Sequence, residues 1–472
     1  MIAMRLLRRT QKAAYLLIVR IYTILVSHVQ SALQGTSIRS ILGIGLLIRI
    51  VLSIYTQESD LIEFAKISLS FLYGEKPYQF ITIYPPGWVY YLSFVGEIYS
   101  MLAPPSSLLL ANPMLSSANL QFGYIQPANL VNPAYSVIEK FPLEIADVAL
   151  GFLLYKIVSR ELGKETLGRI ALAAWLFSPL SIVVSSVHGD YDVLPTLLGV
   201  TALVLVFDRR QFIGGISFGL AVMLKLFPIF LLPILVVTSF KMDRSVRTRI
   251  THGLLPFLSG VALPIALFFA PLGGPQVYLE YLTTGPRVGE SFGGFGPLAW
   301  LSLIQNSTVQ SILQENTAPI LLVLTIIAVV VSLLLSIVVW GVHQRSLQIT
   351  KVIDILVLIV TFSYLAVAYV QPQYLIWILP YLILGFVARR VKGWQLAIVS
   401  VLPALGYIFG LGGPLYFFEI LGVTTHTLSL GWILSNVAYW YHLQWAILIL
   451  TSVPTSLALL TIGMDSAKRI RK

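Results

Sequence analysis

Six short polar groups stand at the edges of long apolar stretches of the sequence, and each contains side chains that can accept a proton or stabilise a charge. They cover residues 58–63, 84–88, 188–192, 225–228, 285–290 and 371–380. Ionisable groups at membrane depth are costly and are usually functional. These six groups therefore contain our candidates for catalysis and binding.

Asp60 and Glu63 follow the first apolar stretch. A carboxylate at the border between a dry and a wet environment can act as a general base, because its pKa can rise there. The alternative is structural, since an acidic residue followed by Glu63 resembles a helix capping box. Asp60 is the candidate base, and Glu63 is a candidate contact to the substrate.

Tyr84, Pro85 and Pro86 form the second group, followed by Gly87. Two prolines cannot lie inside a helix and fix an extended approach to the helix that follows. The motif is either a rigid helix start or, through Gly87, a place where the backbone comes close to a ligand.

His188, Asp190 and Asp192 crowd three ionisable groups into one turn. They are candidates for holding the acceptor substrate or for supporting Asp60. The spacing of the two aspartates could hold a hard divalent cation. Two carboxylates alone are a weak metal signal, so we expect no cofactor.

Two cations could neutralise a phosphate leaving group, Lys225 first and Arg287 second. Lys225 could instead extend to water, and Arg287 could be an ordinary solvated residue. The sixth group offers three candidate sugar contacts, although an aromatic belt also accounts for two of them. These three residues are Gln373, Tyr374 and Trp377.

The composition identifies the class of protein. Of 472 residues, 57% are hydrophobic and 11% are charged, and the mean hydropathy is +0.85. Soluble proteins average about 25% charged residues, so a water-soluble globule, intrinsic disorder and a coiled coil are excluded. The absence of cysteine excludes disulfides and iron–sulfur or cysteine–zinc sites. We interpret the net charge of +11 as a matter of membrane topology, with no nucleic-acid partner.

The expected fold is an all-α polytopic membrane protein with about 12 transmembrane helices. Basic clusters all fall on one side if residues 56–141 form one outer loop, which places both termini in the cytoplasm. The number of transmembrane helices could differ from 12 by one or two, because residues 84–103 and 412–444 could also lie in the membrane. The predicted spans are 40–56, 142–158, 170–187, 193–207, 211–225, 227–240, 252–270, 319–341, 353–370, 374–388, 394–411 and 445–463.

Three regions are predicted. Residues 1–39 form an amphipathic cytoplasmic or interfacial segment. Residues 40–390 form a transmembrane catalytic module with outer loops at about 56–141 and 271–318. Residues 391–472 form a C-terminal transmembrane part with a basic cytoplasmic tail.

Taken in order, these motifs resemble those of GT-C glycosyltransferases, membrane enzymes that use lipid-linked sugar donors. The closest pattern is that of the catalytic subunit of GPI mannosyltransferase I and its prokaryotic relatives. Its order is an acidic residue after the first span, Tyr-Pro-Pro, His-Gly-x-Phe-Asp, Lys-x-x-Pro and Gln-Tyr. Here Tyr191 replaces Phe, and the region around Arg287 does not match the arginine/histidine-rich loop motif of the GPI enzyme.

The resemblance implies an inverting transfer of a hexose, mannose before glucose, from a polyprenyl-phosphate-sugar donor. The acceptor would be a lipid- or glycan-linked hydroxyl on the extracytoplasmic face of a prokaryotic plasma membrane, or of the endoplasmic reticulum in a eukaryote. The lipid bilayer is the other expected partner. The sequence does not identify a partner subunit. The alternative is a transporter or lipid flippase, which predicts an inverted repeat and polar groups at the midplane.

Overall fold

The structure is a computed structural model that describes residues 35–57, 59–76, 78, 84–111, 129–240, 245–276, 278, 349–366, 371–410, 415–416 and 443–470, with a few positions between 323 and 337. The expected amphipathic segment at 1–39 lies almost wholly outside these residues. So do most of the loop at 271–318, including Arg287, and most of 412–444.

The described chain is mostly helical, as expected for an all-α membrane protein. Thirteen helices are labelled in chain order among the described residues. They are α1 (Ile38–Tyr55), α2 (Ser59–Leu72), α3 (Pro86–Ser100), α4 (Pro133–Leu162), α5 (Glu165–Leu176), α6 (Val193–Phe207), α7 (Gln211–Leu224), α8 (Leu232–Phe240), α9 (Leu255–Phe269), α10 (Ile349–Ala366), α11 (Leu379–Val387), α12 (Gly393–Gly410) and α13 (Leu443–Ile470).

Shorter turns of helix join these elements. The segments of 3-10 helix are Pro105–Ser107, Phe227–Leu231, Ala270–Leu272 and Pro372–Trp377. Two segments are π-helical, Ile182–His188 and Arg249–Leu254. Two three-residue helices, Pro179–Ser181 and Val246–Thr248, lead into them.

Two short antiparallel pairings add the β-structure seen in the described residues. β1 (Thr56–Gln57) pairs with β4 (Leu415–Tyr416), with Thr56 opposite Tyr416. β2 (Leu109–Ala111) pairs with β3 (Asn129–Val131). The first pairing attaches the chain just before Asp60 to the segment that follows α12.

Three of the described helical stretches are long and apolar enough to cross a membrane: Ile38–Tyr55, Val246–Leu272 and Ala446–Ile470. Glu165–Leu176 and Pro179–His188 together form a fourth candidate, bent by 43°. Shorter apolar helices include Val193–Phe207 and Gln211–Leu224. The molecule is therefore a membrane protein, while the count of about 12 spans stays a prediction.

The region expected to be the first outer loop is itself built from helices. α2 and α3 pack against each other inside it, and α4 begins at Pro133 rather than near residue 142. Asn132 caps α4, because its side chain accepts a hydrogen bond from the Ala134 amide at 3.0 Å. Proline is favoured in the first turn of a helix, which fits this start.

The α6–α7 hairpin brings two parts of the candidate site together. α6 starts directly after Asp192, and α7 ends directly before Lys225. The two helices pack against each other along their length. Because the chain leaves and returns at the same end, Asp192 and Lys225 become neighbours.

Candidate active site

Asp60 and His188 form the central pair of the site. Oδ2 of Asp60 lies 3.0 Å from Nε2 of His188, and their side chains are 40% and 1% exposed. The Tyr407 hydroxyl bonds Nδ1 of the same imidazole, and the two rings stack with centroids 4.8 Å apart. An imidazole protonated on Nε2 donates to Asp60 and accepts from Tyr407. The carboxylate is thereby oriented while it stays accessible to a substrate hydroxyl.

The local sequence explains how His188 reaches this pair. His188 ends a π-helical segment, a rare conformation that often occurs at functional sites. Gly189 follows with a φ of 80°, in the left-handed region that favours glycine. A Cβ atom there would lie 2.8 Å from Cε of Lys140. Both constraints require glycine directly after His188.

Asp60 does not cap its helix as the alternative interpretation proposed. α2 begins at Ser59, so Asp60 lies in the first turn and its carboxylate contacts His188. Glu63 faces elsewhere, since its Oε1 pairs with Nζ of Lys66 at 2.6 Å and both side chains are at least half exposed. The structure therefore does not bring Glu63 to the site.

Lys225 lies between two buried aspartates. Its Nζ is 3.7 Å from Oδ1 of Asp190 and makes a closer contact with Oδ1 of Asp192. The side chain of Lys225 is 16% exposed, and those of Asp190 and Asp192 are 4% and 0% exposed. Lys225 thus pairs with carboxylates instead of extending to water.

Burial and the two carboxylates set the protonation of this cluster. Burial raises the pKa of Asp192 and Asp190 raises it further, so that it reaches about 7 although Lys225 lowers it. Asp192, beside Lys225, can therefore titrate near neutral pH.

Aromatic rings surround the ammonium group of Lys225. Nζ lies 4.7 Å from the ring centroid of Tyr191, 5.0 Å from that of Tyr374 and 5.4 Å from that of Trp377. The last two rings stack on each other, and Trp377 also stacks on Phe227. Ring faces attract cations, so this cage holds the charge of Lys225 in place. Tyr374 and Trp377 therefore lie beside Lys225, and their contact with a sugar stays a prediction.

Gln373 precedes these two aromatics. Its side chain is buried, with 7% exposure, and its Oε1 has no hydrogen-bond partner among the described residues. A buried amide oxygen of this kind can accept a hydrogen bond from a ligand.

The Tyr84-Pro85-Pro86 motif is a rigid helix start. Pro85 is the N-cap of α3 and Pro86 is its first residue. Gly87 follows, and a Cβ atom there would lie 2.6 Å from the carbonyl oxygen of Met223. Gly87 therefore permits a close backbone approach to α7, near Lys225.

Aromatic rings connect this motif to the turn formed by residues 188–192. The ring of Tyr84 lies edge-on to Phe64 at 5.3 Å and to Tyr191 at 6.1 Å. Trp88 stacks on Tyr191 at 4.0 Å and on Tyr91 at 4.5 Å. Through these contacts α2, α3 and the turn that carries Asp190 and Asp192 form one rigid wall.

Asp60, His188 and Asp190 lie close enough together to hold one metal ion. One ligand atom of each lies within 4.8 Å of the others. Lys225 already lies 3.7 Å from Asp190, and its positive charge opposes a cation there. The trio also differs from the Asp-x-Asp pair that the sequence indicated.

An apolar cavity adjoins the cage of Lys225. It offers about 460 Å³ of empty space, which includes space open to solvent. Its lining includes the cage residues Tyr374 and Trp377, together with Phe227, Phe230, Leu231, Val360, Ser363, Tyr364, Ile378 and Tyr381. The cation and the apolar cavity thus share two aromatic walls.

Two features of the site were missed from the sequence. Tyr407 lies beyond residue 390, outside the expected catalytic module, and no motif marked it. Lys140, Glu144 and Asp147 are fully buried in α4. Their helical spacing within and beside a predicted span was a signal that could have found them.

Residues 144–365 match the family model of glycosyltransferase family 87. The matched region contains His188, Asp190, Asp192 and Lys225, while Asp60 and Tyr407 lie outside it. The match indicates that the protein is a glycosyltransferase, and therefore an enzyme that takes a sugar from a donor to an acceptor. It gives no support to the transporter alternative, and the finer resemblance to GPI mannosyltransferase I stays a prediction.

Proposed function

From the glycosyltransferase that the family match indicates, we propose an inverting hexosyltransferase that uses a polyprenyl-phosphate-sugar donor, with mannose as the first candidate sugar. The observation that carries this proposal is the placement of Asp190 between an accessible base and a buried cation. Ligand atoms of Asp60, His188 and Asp190 lie within 4.8 Å of one another, and Lys225 lies 3.7 Å from Asp190. One sugar can therefore meet both the base and the cation.

The cavity beside Lys225 supports a lipid-linked donor. Its lining is aromatic and aliphatic apart from Ser363 and the tyrosine hydroxyls. An isoprenoid chain gains free energy when its apolar surface leaves water. A polyprenyl-phosphate donor carries an anion next to a hydrocarbon chain. Its phosphate would bind at Lys225 and its chain would lie in the adjoining apolar cavity.

The reaction is a single displacement. The acceptor hydroxyl attacks the anomeric carbon, and the bond from that carbon to the donor phosphate breaks. The phosphate leaves with the electron pair, and Asp60 takes the hydroxyl proton. His188 and Tyr407 orient the carboxylate, and a positioned base contributes roughly 10²–10⁴-fold to a rate.

Lys225 would stabilise the charge that develops on the leaving phosphate. Charges fixed in advance at such positions are commonly the largest catalytic contribution, because they need no reorganisation during the reaction. The cage of Tyr191, Tyr374 and Trp377 provides that fixation. Arg287, outside the described residues, remains the second candidate for the same role. With Lys225 as the cation, the mechanism needs no metal ion.

The ends of α6 support an active site on the extracytoplasmic face. Asp192 lies at one end, and Asp208, paired with Arg160 at 2.9 Å, lies at the other. A helix of this length, Val193–Phe207, spans about 22 Å. Arg160 belongs to a basic cluster, and such clusters favour the cytoplasmic side. Asp192, at the opposite end of α6, would then lie on the extracytoplasmic side.

A transfer assay in reconstituted liposomes tests this function. Labelled polyprenyl-phosphate-mannose and polyprenyl-phosphate-glucose are offered separately with membrane lipid acceptors, with and without EDTA. We expect a labelled product, formed faster from the mannose donor than from the glucose donor, at a rate that EDTA leaves unchanged. Movement of label across the bilayer without any glycosylated product would overturn the proposal in favour of a transporter.

A further inference from the structure

α4 carries a line of ionisable residues that face other helices. Lys140, Glu144 and Asp147 are 0%, 1% and 0% exposed. Spacings of four and three residues place side chains on one helix face. Charges buried at this depth are retained only when they are paired or hydrogen-bonded, so the partners of each charge indicate its purpose.

Glu144 and Asp147 connect α4 to two other elements, α1 and the π-helical segment Ile182–His188. Asp147 accepts a hydrogen bond from Nε of Arg49 at 3.2 Å, which ties α4 to α1. Glu144 accepts from the hydroxyl of Ser53 at 2.6 Å and from that of Ser186 at 3.0 Å. The π-helical segment that ends at His188 is thus fastened to α1 through α4.

Lys140 makes a different kind of contact. Its Nζ donates to three backbone carbonyl oxygens, those of Thr56 at 2.6 Å, Val187 at 3.1 Å and Ser186 at 3.2 Å. An ammonium group has three donors, so these bonds can satisfy all of them. A cation is also stabilised at the carbonyl end of a helical segment.

The three carbonyls belong to the two chain segments that supply the catalytic pair. Thr56 begins the short connection from α1 to α2 and Asp60, and Val187 directly precedes His188. One buried ammonium therefore ties together backbone segments that lie 130 residues apart, the separation of Thr56 from Ser186.

We propose that Lys140 is a positioning residue that sets the contact between Asp60 and His188. It touches no reacting atom, and it acts by holding the two backbone segments from which these side chains extend. This role rests on the proposed function, because it concerns the base of the transfer reaction. A misplacement of about 1 Å in a catalytic group can cost on the order of 10²-fold in rate.

Kinetics of Lys140→Met and Lys140→Arg test the role. Lys140→Met should lower kcat by about 10²-fold with little change in the KM for the donor, and Lys140→Arg should recover part of the loss. Lys156→Met is the matched control, because Lys156 lies on the same helix and is exposed. In an Asp60→Asn background, Lys140→Met should cost little more, since the positioned base is already gone.

A cross-linking experiment tests the same claim without any reaction. The chain has no cysteine, so an Asp60→Cys/His188→Cys double variant reports only on that pair. A short bifunctional thiol reagent is used, since a disulfide is too short to replace contacting Asp and His side chains. Lys140→Met should slow cross-linking by this reagent several-fold, and Lys156→Met should leave the rate unchanged.

The outcomes separate the two claims. Slower cross-linking with no sugar transfer by the wild type would keep the role of Lys140 in positioning and overturn the proposed function. Equal cross-linking rates with and without Lys140 would overturn the positioning role, whatever the transfer assay gives. Losses of Lys140→Met and Asp60→Asn that multiply would also count against it, because they would show that the two residues act independently.

Discussion

The carboxylate of Asp60 and the imidazole of His188 lie 3.0 Å apart, although 128 positions separate them in the chain. The fold brings them together from the start of α2 and the end of a π-helical segment. Tyr407, from α12, bonds the opposite nitrogen of the imidazole. Three distant segments thus orient one accessible carboxylate.

Removing the hydroxyl of Tyr407 should weaken this orientation. Tyr407→Phe deletes one buried hydrogen bond, worth about 1 kcal/mol, so we expect kcat to fall by roughly 5- to 10-fold at unchanged donor KM. His188→Gln should cost more, because the direct partner of Asp60 is altered. Tyr155→Phe, in α4 and away from the site, is the control. A rate for Tyr407→Phe equal to that of the wild type would show that the hydrogen bond does not orient the pair.

Loss of the Lys225 cation should remove stabilisation of the leaving phosphate. Lys225→Met alone would leave two buried carboxylates without their cation, so the variant to measure is Lys225→Met with Asp192→Asn. This double variant should stay folded and lose about 10²–10³-fold in kcat. Lys66→Met, which removes an exposed lysine, should be neutral. Near wild-type turnover of the double variant would show that Lys225 does not stabilise the leaving phosphate.

Filling the apolar cavity should distinguish donors by chain length. Ser363 lies in its lining, and Ser363→Phe takes up space that an isoprenoid chain would occupy. We expect the KM to rise about 10-fold for a long-chain donor, equivalent to about 1.4 kcal/mol of lost binding. A short-chain donor should be unaffected. Equal effects on both donors would show that the cavity does not hold the chain.

Donor binding should strengthen as the pH falls through about 7, the raised pKa of Asp192. Protonation of Asp192 removes a negative charge beside Lys225, so the cluster becomes more attractive to an anion. The donor phosphate is a diester and does not titrate in this range. Measured dissociation constants between pH 5.5 and 8.5 should therefore rise with pH in the wild type.

Asp192→Asn is the matched variant for this pH dependence. It should bind the donor with an affinity that is nearly constant across the same range. A wild-type affinity that is independent of pH, or a slope that persists in Asp192→Asn, would assign the titration to another group.

Arg209 and Arg210 lie in the turn between α6 and α7, so the sequence predicts that the opposite ends of these helices, at Asp192 and Lys225, share the other side of the membrane. The Tyr84-Pro85-Pro86 motif was likewise recognisable as a helix start, since proline dictates its own backbone. Local rules of this kind operate within a few residues or within one hairpin, and they gave correct geometry here.

Contacts between distant segments were not accessible in the same way. Nothing in its local sequence marks Tyr407 as a partner of His188, because the contact depends on how α12 packs. Glu63 shows the opposite failure, since it stands beside Asp60 in sequence but pairs with Lys66 on the surface. A spacing of three residues places Asp60 and Glu63 on a similar helix face, so the pairing of Glu63 with Lys66 is a contact that spacing alone does not show.

Single-turnover transfer by Asp60→Asn tests the central claim most directly. The donor is bound to wild type and variant in liposomes, acceptor is added, and transfer of the labelled sugar is followed. We predict unchanged donor affinity and a rate of transfer lower by roughly 10²–10⁴-fold, because only the base is removed. Transfer at the wild-type rate by Asp60→Asn would contradict the account and assign proton removal to another group.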